Sequence, residues 1–327
     1  MASPRGIFEI GRLAPRSPQI IQNIRFTSSP KSPLRNNLST DCVEAKINTK
    51  PCTLSLVNVD TPNRKKILNT GLTHCTRKIL GSGGFGTVIQ ASYKGDQVAA
   101  KILRRRKDSD NSVISEKHAT TLRHANVIRI LGIEQGEVFS MITMELCGKS
   151  LQERLDEGPL NCQERLNIFK AITFAIQFCH RAGVVHADVK PKNILMAADG
   201  NPKLADFGSS VLLGEEDTYT GIRGTPGYVA PEVIRGELPS PPSDIYSLGI
   251  LAWQMLSRTL PFADLHPHAI LYLTGKGIKP EDSMLDDNLG GKYKALYSKM
   301  WSFEKTDRPS IDGVATELQD LEVEAKC

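Results

Sequence analysis

The run His186-Ala187-Asp188-Val189-Lys190-Pro191-Lys192-Asn193, with Asp206-Phe207-Gly208 downstream, restricts this chain more than any other stretch. It sets two carboxylates, an ammonium and a carboxamide on two short loops. Asp188 can accept a proton from a hydroxyl, and Lys190 can neutralise charge on a group in transfer. Asn193 and Asp206 offer hard oxygen ligands to magnesium. Together they suit moving a phosphoryl group from a metal-bound nucleotide to a hydroxyl. A lone His-x-Asp is common and a lone Asp-Phe-Gly is more often a turn, so the joint pattern carries the information.

A chain of 327 residues has room for two core-sized units plus extensions. The hydrophobic share of 40% and charged share of 24% are ordinary for a globular protein. No apolar run approaches the ~18–20 residues that span a bilayer. The net charge of +5 is unevenly placed, because residues 1–70 hold eleven Lys/Arg against four Asp/Glu. The remainder is slightly acidic, which argues against a nucleic-acid partner for the core. Residues 7–26 carry arginines but also Glu9 and prolines, so no transit peptide is expected. The seven cysteines are scattered without a C-x-x-C pair and read as reduced thiols, consistent with a cytoplasmic, monomeric protein without a membrane partner.

Residues 1–72 read as a disordered, basic extension. Ser-Pro recurs at 3–4, 17–18, 29–30 and 32–33, and Thr-Pro at 61–62, with few apolar residues to offset chain entropy. Most of these are turn punctuation, and some are candidate sites for a proline-directed kinase. Arg64-Lys65-Lys66 reads as a solvated spacer.

From about residue 73 the pattern changes. Gly81-Ser82-Gly83-Gly84-Phe85-Gly86 runs into Thr87-Val88, a Lys94-Gly95-Asp96 turn and Gln97-Val98-Ala99-Ala100-Lys101. A dinucleotide-binding glycine motif would open a helix and find an acid ~20 positions on. Here strands follow, and the awaited side chain is a lysine. The glycines let backbone amides close over phosphates, and Lys101 can reach them. Residues 111–122 form a candidate helix with Ile114, His118 and Leu122 on one stripe, and Glu116 is its one acid. Residues 138–146 form an apolar strand ending at Met144-Glu145-Leu146-Cys147. There the backbone of Glu145 and Cys147 can meet an adenine edge while Met144 narrows the rear.

Residues 161–183 are helical, with Leu166, Phe169, Ile172, Ile176 and Cys179 on one face. Val184-Val185 lead into the first loop, and Ile194-Leu195-Met196 make a strand after Asn193. The segment 206–232 offers Thr218, Tyr219, Thr220 and Thr225 as phosphate acceptors. An apolar helix runs from Ser243 through Met255, Arg308 is the expected partner of Glu232, and a last polar helix covers 310–325.

These motifs, present and in order from about 73 to 323, resemble a eukaryotic protein kinase domain. The resemblance implies an α+β bilobal fold, with a small β-rich lobe (about 73–146) bearing one main helix and a larger, mainly helical lobe (about 147–323). Residues 324–327 remain as a tail. ATP and Mg2+ would lie in the cleft, with Val88, Ala99, Met144, Glu145, Cys147 and Leu195 around the nucleotide under the 81–86 loop. Glu116 would position Lys101, and Asp188 and Lys190 would act on the transfer. Lys190 with Gly224-Thr225 resembles the serine/threonine pattern rather than the tyrosine one. Loss of Lys101, Asp188, Asn193 or Asp206 would mark a kinase-shaped scaffold, and all four are present.

Gly81–Gly86, Met144-Glu145, Asp206–Ser209, Asp244–Ser247, Trp253-Gln254-Met255 and the Ser3-Pro4 start resemble the Mos kinases more closely. That similarity implies a MAP kinase kinase as substrate, in germ-cell meiosis. One position departs from most protein kinases, which carry arginine where this chain has Ala187. That arginine pairs with a phosphate on the activation segment, so activity here is expected without that pairing. The double variant Thr218→Ala/Thr220→Ala should keep phosphate transfer within about three-fold of the parent chain; complete loss would show phosphate-dependent switching through another basic residue such as Arg223.

Overall fold

The computed structural model describes residues 72–83, 86–104, 107–215, 221–286 and 289–325. The expectations placed on the 1–70 region, Gly84, Phe85, Thr218, Tyr219 and Thr220 lie outside them.

Five antiparallel strands form the first lobe: β1 (Leu72–Gly83), β2 (Gly86–Tyr93), β3 (Asp96–Arg104), β4 (Ile130–Gln135) and β5 (Phe139–Glu145), in the order β1-β2-β3-β5-β4. Lys94 and Gly95, both at positive φ, join β2 to β3 with Tyr93 opposite Asp96. This is the two-residue turn whose twist matches its strands. Gly83 faces Gly86 where β1 turns into β2. A Cβ on Gly86, at φ +126, would lie 2.3 Å from the Ile102 carbonyl oxygen, so only glycine lets the turn lie this close to β3.

Helix α1 (Lys107–Lys117) packs beside the sheet. It starts and ends earlier than the apolar stripe suggested, and Ile114 points outward, 52% exposed. Its buried residues are Ser112, Val113, Ser115 and Glu116. Only Val113 of these enters the apolar core, the other three being polar, so apolar periodicity could not find the helix.

The second lobe is built on α3 (Cys162–Arg181), which follows α2 (Leu151–Glu157). All five residues of the expected α3 face, Leu166, Phe169, Ile172, Ile176 and Cys179, are fully buried. Asn161 caps α3, its side-chain oxygen accepting the Glu164 N–H at 2.8 Å. After it come the short pairs β6 (Val184–Val185) with β9 (Val211–Leu212) and β7 (Ile194–Met196) with β8 (Pro202–Leu204). These pairs pin both ends of the loop carrying Asp188 and the start of the segment after Asp206. Helices α4 (Pro231–Ile234), α5 (Pro241–Ser257), α6 (Pro267–Gly275), α7 (Lys292–Met300) and α8 (Ile311–Glu324) complete the lobe. Helix α5 is buried on nearly every side from Ser243 to Met255. The final helix was expected to be polar, but Ile311, Val314, Leu318 and Leu321 form a buried stripe against the rest of the lobe. Among the described residues no helix is long and apolar enough to cross a membrane.

Arg308 meets Glu232 as expected, in a buried two-pronged ion pair at 2.7 and 2.8 Å. Its remaining donors reach the carbonyls of Pro242, Ser302 and Phe303. Burial opposes the Glu232 charge, but the guanidinium overrides it and holds the carboxyl below the usual range. A carboxyl depressed in the folded state contributes stability that is complete above its unfolded value, near about 4.3. That contribution is lost as pH falls through the lower folded value. Glu232→Ala leaves a buried, unpaired guanidinium and should destabilise the fold by about 3–5 kcal/mol, read by denaturant unfolding at pH 7. The gap between variant and parent should narrow toward pH 3.

Candidate active site

The loop 186–193 is held from below by one buried acid. Asp244, in the first turn of α5, accepts the N–H of His186 at 2.9 Å and of Ala187 at 2.8 Å, and its Oδ2 lies 2.8 Å from His180 Nε2. Burial works against the charge on Asp244, yet His180 and these donors keep its carboxyl below the usual range. Ala187 adopts a left-handed φ of 63°, which β-carbon residues seldom take. The two Asp244 bonds on either side of this kink fix it. His186 is fully buried, with its Nε2 3.1 Å from the Ala205 carbonyl and its ring edge-on to Phe207.

Asp188 is the centre of a four-residue cluster. Its Oδ2 accepts Lys190 Nζ at 2.6 Å and Asn193 Nδ2 at 3.0 Å, and its Oδ1 accepts the Thr225 hydroxyl at 2.7 Å. Lys190 also reaches Thr225 Oγ1 at 2.6 Å. Asn193 donates a further bond to the Asp188 carbonyl at 2.9 Å. Its amide nitrogen is thereby turned to Asp188, which leaves its carbonyl oxygen directed elsewhere.

Lys101 lies on β3 between two carboxylates, 2.8 Å from Glu116 and 2.7 Å from Asp206. Burial alone would discharge it, but the two acids hold its ammonium well above the ordinary lysine value. Asp206, at φ 64°, is held below the usual carboxylate range: burial opposes its charge and Lys101 outweighs that effect. Asp206 and Asn193 therefore present hard, anionic or carbonyl oxygens, a donor set that fits a divalent cation.

The remaining sequence candidates lie on β1–β3, at the end of β5 and just after it, and on β7. Gly81 and Ser82 end β1 in solvent, and Gly83 faces Gly86. Val88 lies opposite Lys101, and Ala99 opposite Met144. Ala99 and Met144 are buried, while Val88, Cys147 and Leu195 pack half-buried against the same core. The Glu145 side chain accepts the Arg129 N–H at 2.7 Å and pairs with Lys203 at 3.1 Å, which fixes the chain where the lobes join. Asp244 and His180 were not foreseen as supports of the loop, and Thr225 was noted as a candidate phosphate acceptor and as part of the serine/threonine pattern, not as a partner of Asp188. No local pattern announces Asp244, because its partners are backbone N–H groups far along the chain.

A family model described as a protein kinase domain matches residues 75–319. This chain belongs to the protein kinase family. Among known proteins, the serine/threonine-protein kinase mos of Patiria pectinifera is 33% identical over 258 residues, 74% of this chain and 73% of that one. The serine/threonine-protein kinase mos of Xenopus laevis is 31% identical over 266 residues, 73% of this chain and 74% of that one. The proto-oncogene serine/threonine-protein kinase mos of Mus musculus is 29% identical over 273 residues, 75% and 80% of the two chains. The chain is thus a Mos-like serine/threonine kinase with the bilobal fold its motifs implied.

Burial, reinforced by the neighbouring Glu145, pushes the Cys147 thiol up to about 11. Against an ordinary value of 9.0, this makes the thiolate at neutral pH scarcer by roughly a hundred-fold. Alkylation of Cys147 by iodoacetamide, followed by mass spectrometry, should be slower than in the unfolded chain by about that factor.

Proposed function

We propose that this kinase moves the γ-phosphoryl group of ATP to a serine or threonine of a MAP kinase kinase, in germ-cell meiosis. The observation that carries the reading is the Asp188 cluster, in which one carboxylate gathers Lys190, Asn193 and the Thr225 hydroxyl. Asp188 orients the substrate hydroxyl and accepts its proton. Lys190 faces the charge that develops on the group in transfer. Lys101, held by Glu116, grips the nucleotide phosphates beneath the 81–86 loop, and Val88, Ala99, Met144, Glu145, Cys147 and Leu195 surround the base. Asn193 and Asp206 would hold magnesium, which would supply positive charge against the nucleotide phosphates.

In this reading residues 73–323 are the catalytic domain and act as a monomer in the cytoplasm. Residues 1–72 are an extension open to proline-directed kinases at its Ser-Pro sites. The support for the MAP kinase kinase and the meiotic setting is the similarity to Mos kinases.

Purified protein, labelled ATP and a catalytically dead MAP kinase kinase test the proposal. Label should enter the activation-segment serines of the acceptor. General-base help is worth roughly 10²–10⁴-fold, so Asp188→Asn should lower turnover by about that much while ATP still binds. Equal turnover in the variant would remove Asp188 from its role. Label in casein alone would keep the kinase and discard the pathway.

A further inference from the structure

Helix α1 carries Glu116, and the lysine it holds works only while the helix stays docked. Three contacts fasten the helix to the residues that follow Asp206. At its middle, Gly208 lies so close that a Cβ there would be 2.5 Å from Ser112 Oγ. In its last turn, Glu116 accepts the Phe207 N–H as well as Lys101. At its end stands Ser210, fully buried. Its hydroxyl donates to the Ser115 carbonyl at 2.9 Å, and its oxygen lies 2.9 Å from His118 Nδ1. With the hydroxyl proton on Ser115, Nδ1 is the donor to Ser210.

Ser115 lies in the last turn of α1, where carbonyls lack the partners that a continuing helix would give them. Its carbonyl takes the His118 N–H at 3.1 Å and the Ser210 hydroxyl. Ser210 is itself fixed from its own side. Its N–H bonds the Phe207 carbonyl at 2.9 Å, and the next residue, Val211, pairs with Val185 in β9. Ser210 therefore joins the end of α1 to the strand pair that anchors the catalytic loop, through hydrogen bonds that involve no phosphorylated residue.

We infer that Ser210 is a positioning residue for phosphoryl transfer: by capping α1 it keeps Glu116 on Lys101 without phosphorylation of the segment. The inference rests on the proposed role of Lys101 and Glu116 in holding the nucleotide. Removing the hydroxyl leaves a buried carbonyl short of one donor and lowers the share of molecules with α1 docked.

In Ser210→Ala, KM for ATP should rise about ten-fold while kcat at saturating ATP stays within about three-fold. In the nucleotide-free protein, hydrogen exchange at the α1 amides should quicken by a similar factor. His118→Ala should shift both readouts in the same direction, and His118→Gln, which keeps a donor for Ser210, should restore them. A general packing defect would instead lower melting temperature with KM and α1 exchange unchanged, and that result overturns the inference. Should Ser210→Ala fail to fold, the His118 pair decides, and parent-like values in His118→Ala overturn it. Exchange at α1 is read without nucleotide, so it tests Ser210 even if the parent chain transfers no phosphate and the proposed roles fall.

Discussion

The Asp244 carboxylate is the contact on which the catalytic loop depends. A backbone kink at a residue with a β-carbon is unfavourable unless its surroundings over-determine it. Asp244 does so by taking two successive N–H groups, those of His186 and Ala187, while His180 steadies its second role as a buried anion. Only with that kink fixed does Asp188 face Lys190, Asn193 and Thr225. The acid sits on α5, the most completely buried helix of the larger lobe, so the loop inherits the rigidity of the core beneath it.

The same logic joins the lobes. Lys101 belongs to the sheet, Glu116 to the one helix beside it and Asp206 to the segment following the catalytic loop. One ammonium thus holds together three pieces of chain that have no local reason to meet. Lys101 offsets the cost of both acids: it holds Asp206 below the usual carboxylate range, while at fully buried Glu116 burial outweighs it and pushes the carboxyl up.

The motifs were legible in the sequence because their chemistry is concentrated in short loops. His186 to Asn193, Asp206 to Gly208 and the glycine run each announce themselves by residue type and order. The core face of α3 was legible too, since five apolar residues at helical spacing meet an apolar core. Helix α1 was misplaced because three of its buried residues, Ser112, Ser115 and Glu116, are polar and only Val113 is apolar; Glu116 and the Ser115 carbonyl find their partners far along the chain. The stripe of α8 was missed because Ile311, Val314, Leu318 and Leu321 are spread among acids that dominate its composition. The supports of the site, Asp244 and Ser210, were hidden for a further reason. A carboxylate or hydroxyl that binds backbone N–H or C=O groups elsewhere leaves no local pattern at all.

Thr225 gives the site a further property. Its hydroxyl already occupies one oxygen of Asp188 and accepts from Lys190, so the carboxylate is solvated by the protein before any substrate arrives. Under the proposed function, an incoming hydroxyl would enter a ring of oriented dipoles that has little left to reorganise. The threonine at Asp188 would then stand, in the resting protein, where a foreign hydroxyl is to be presented.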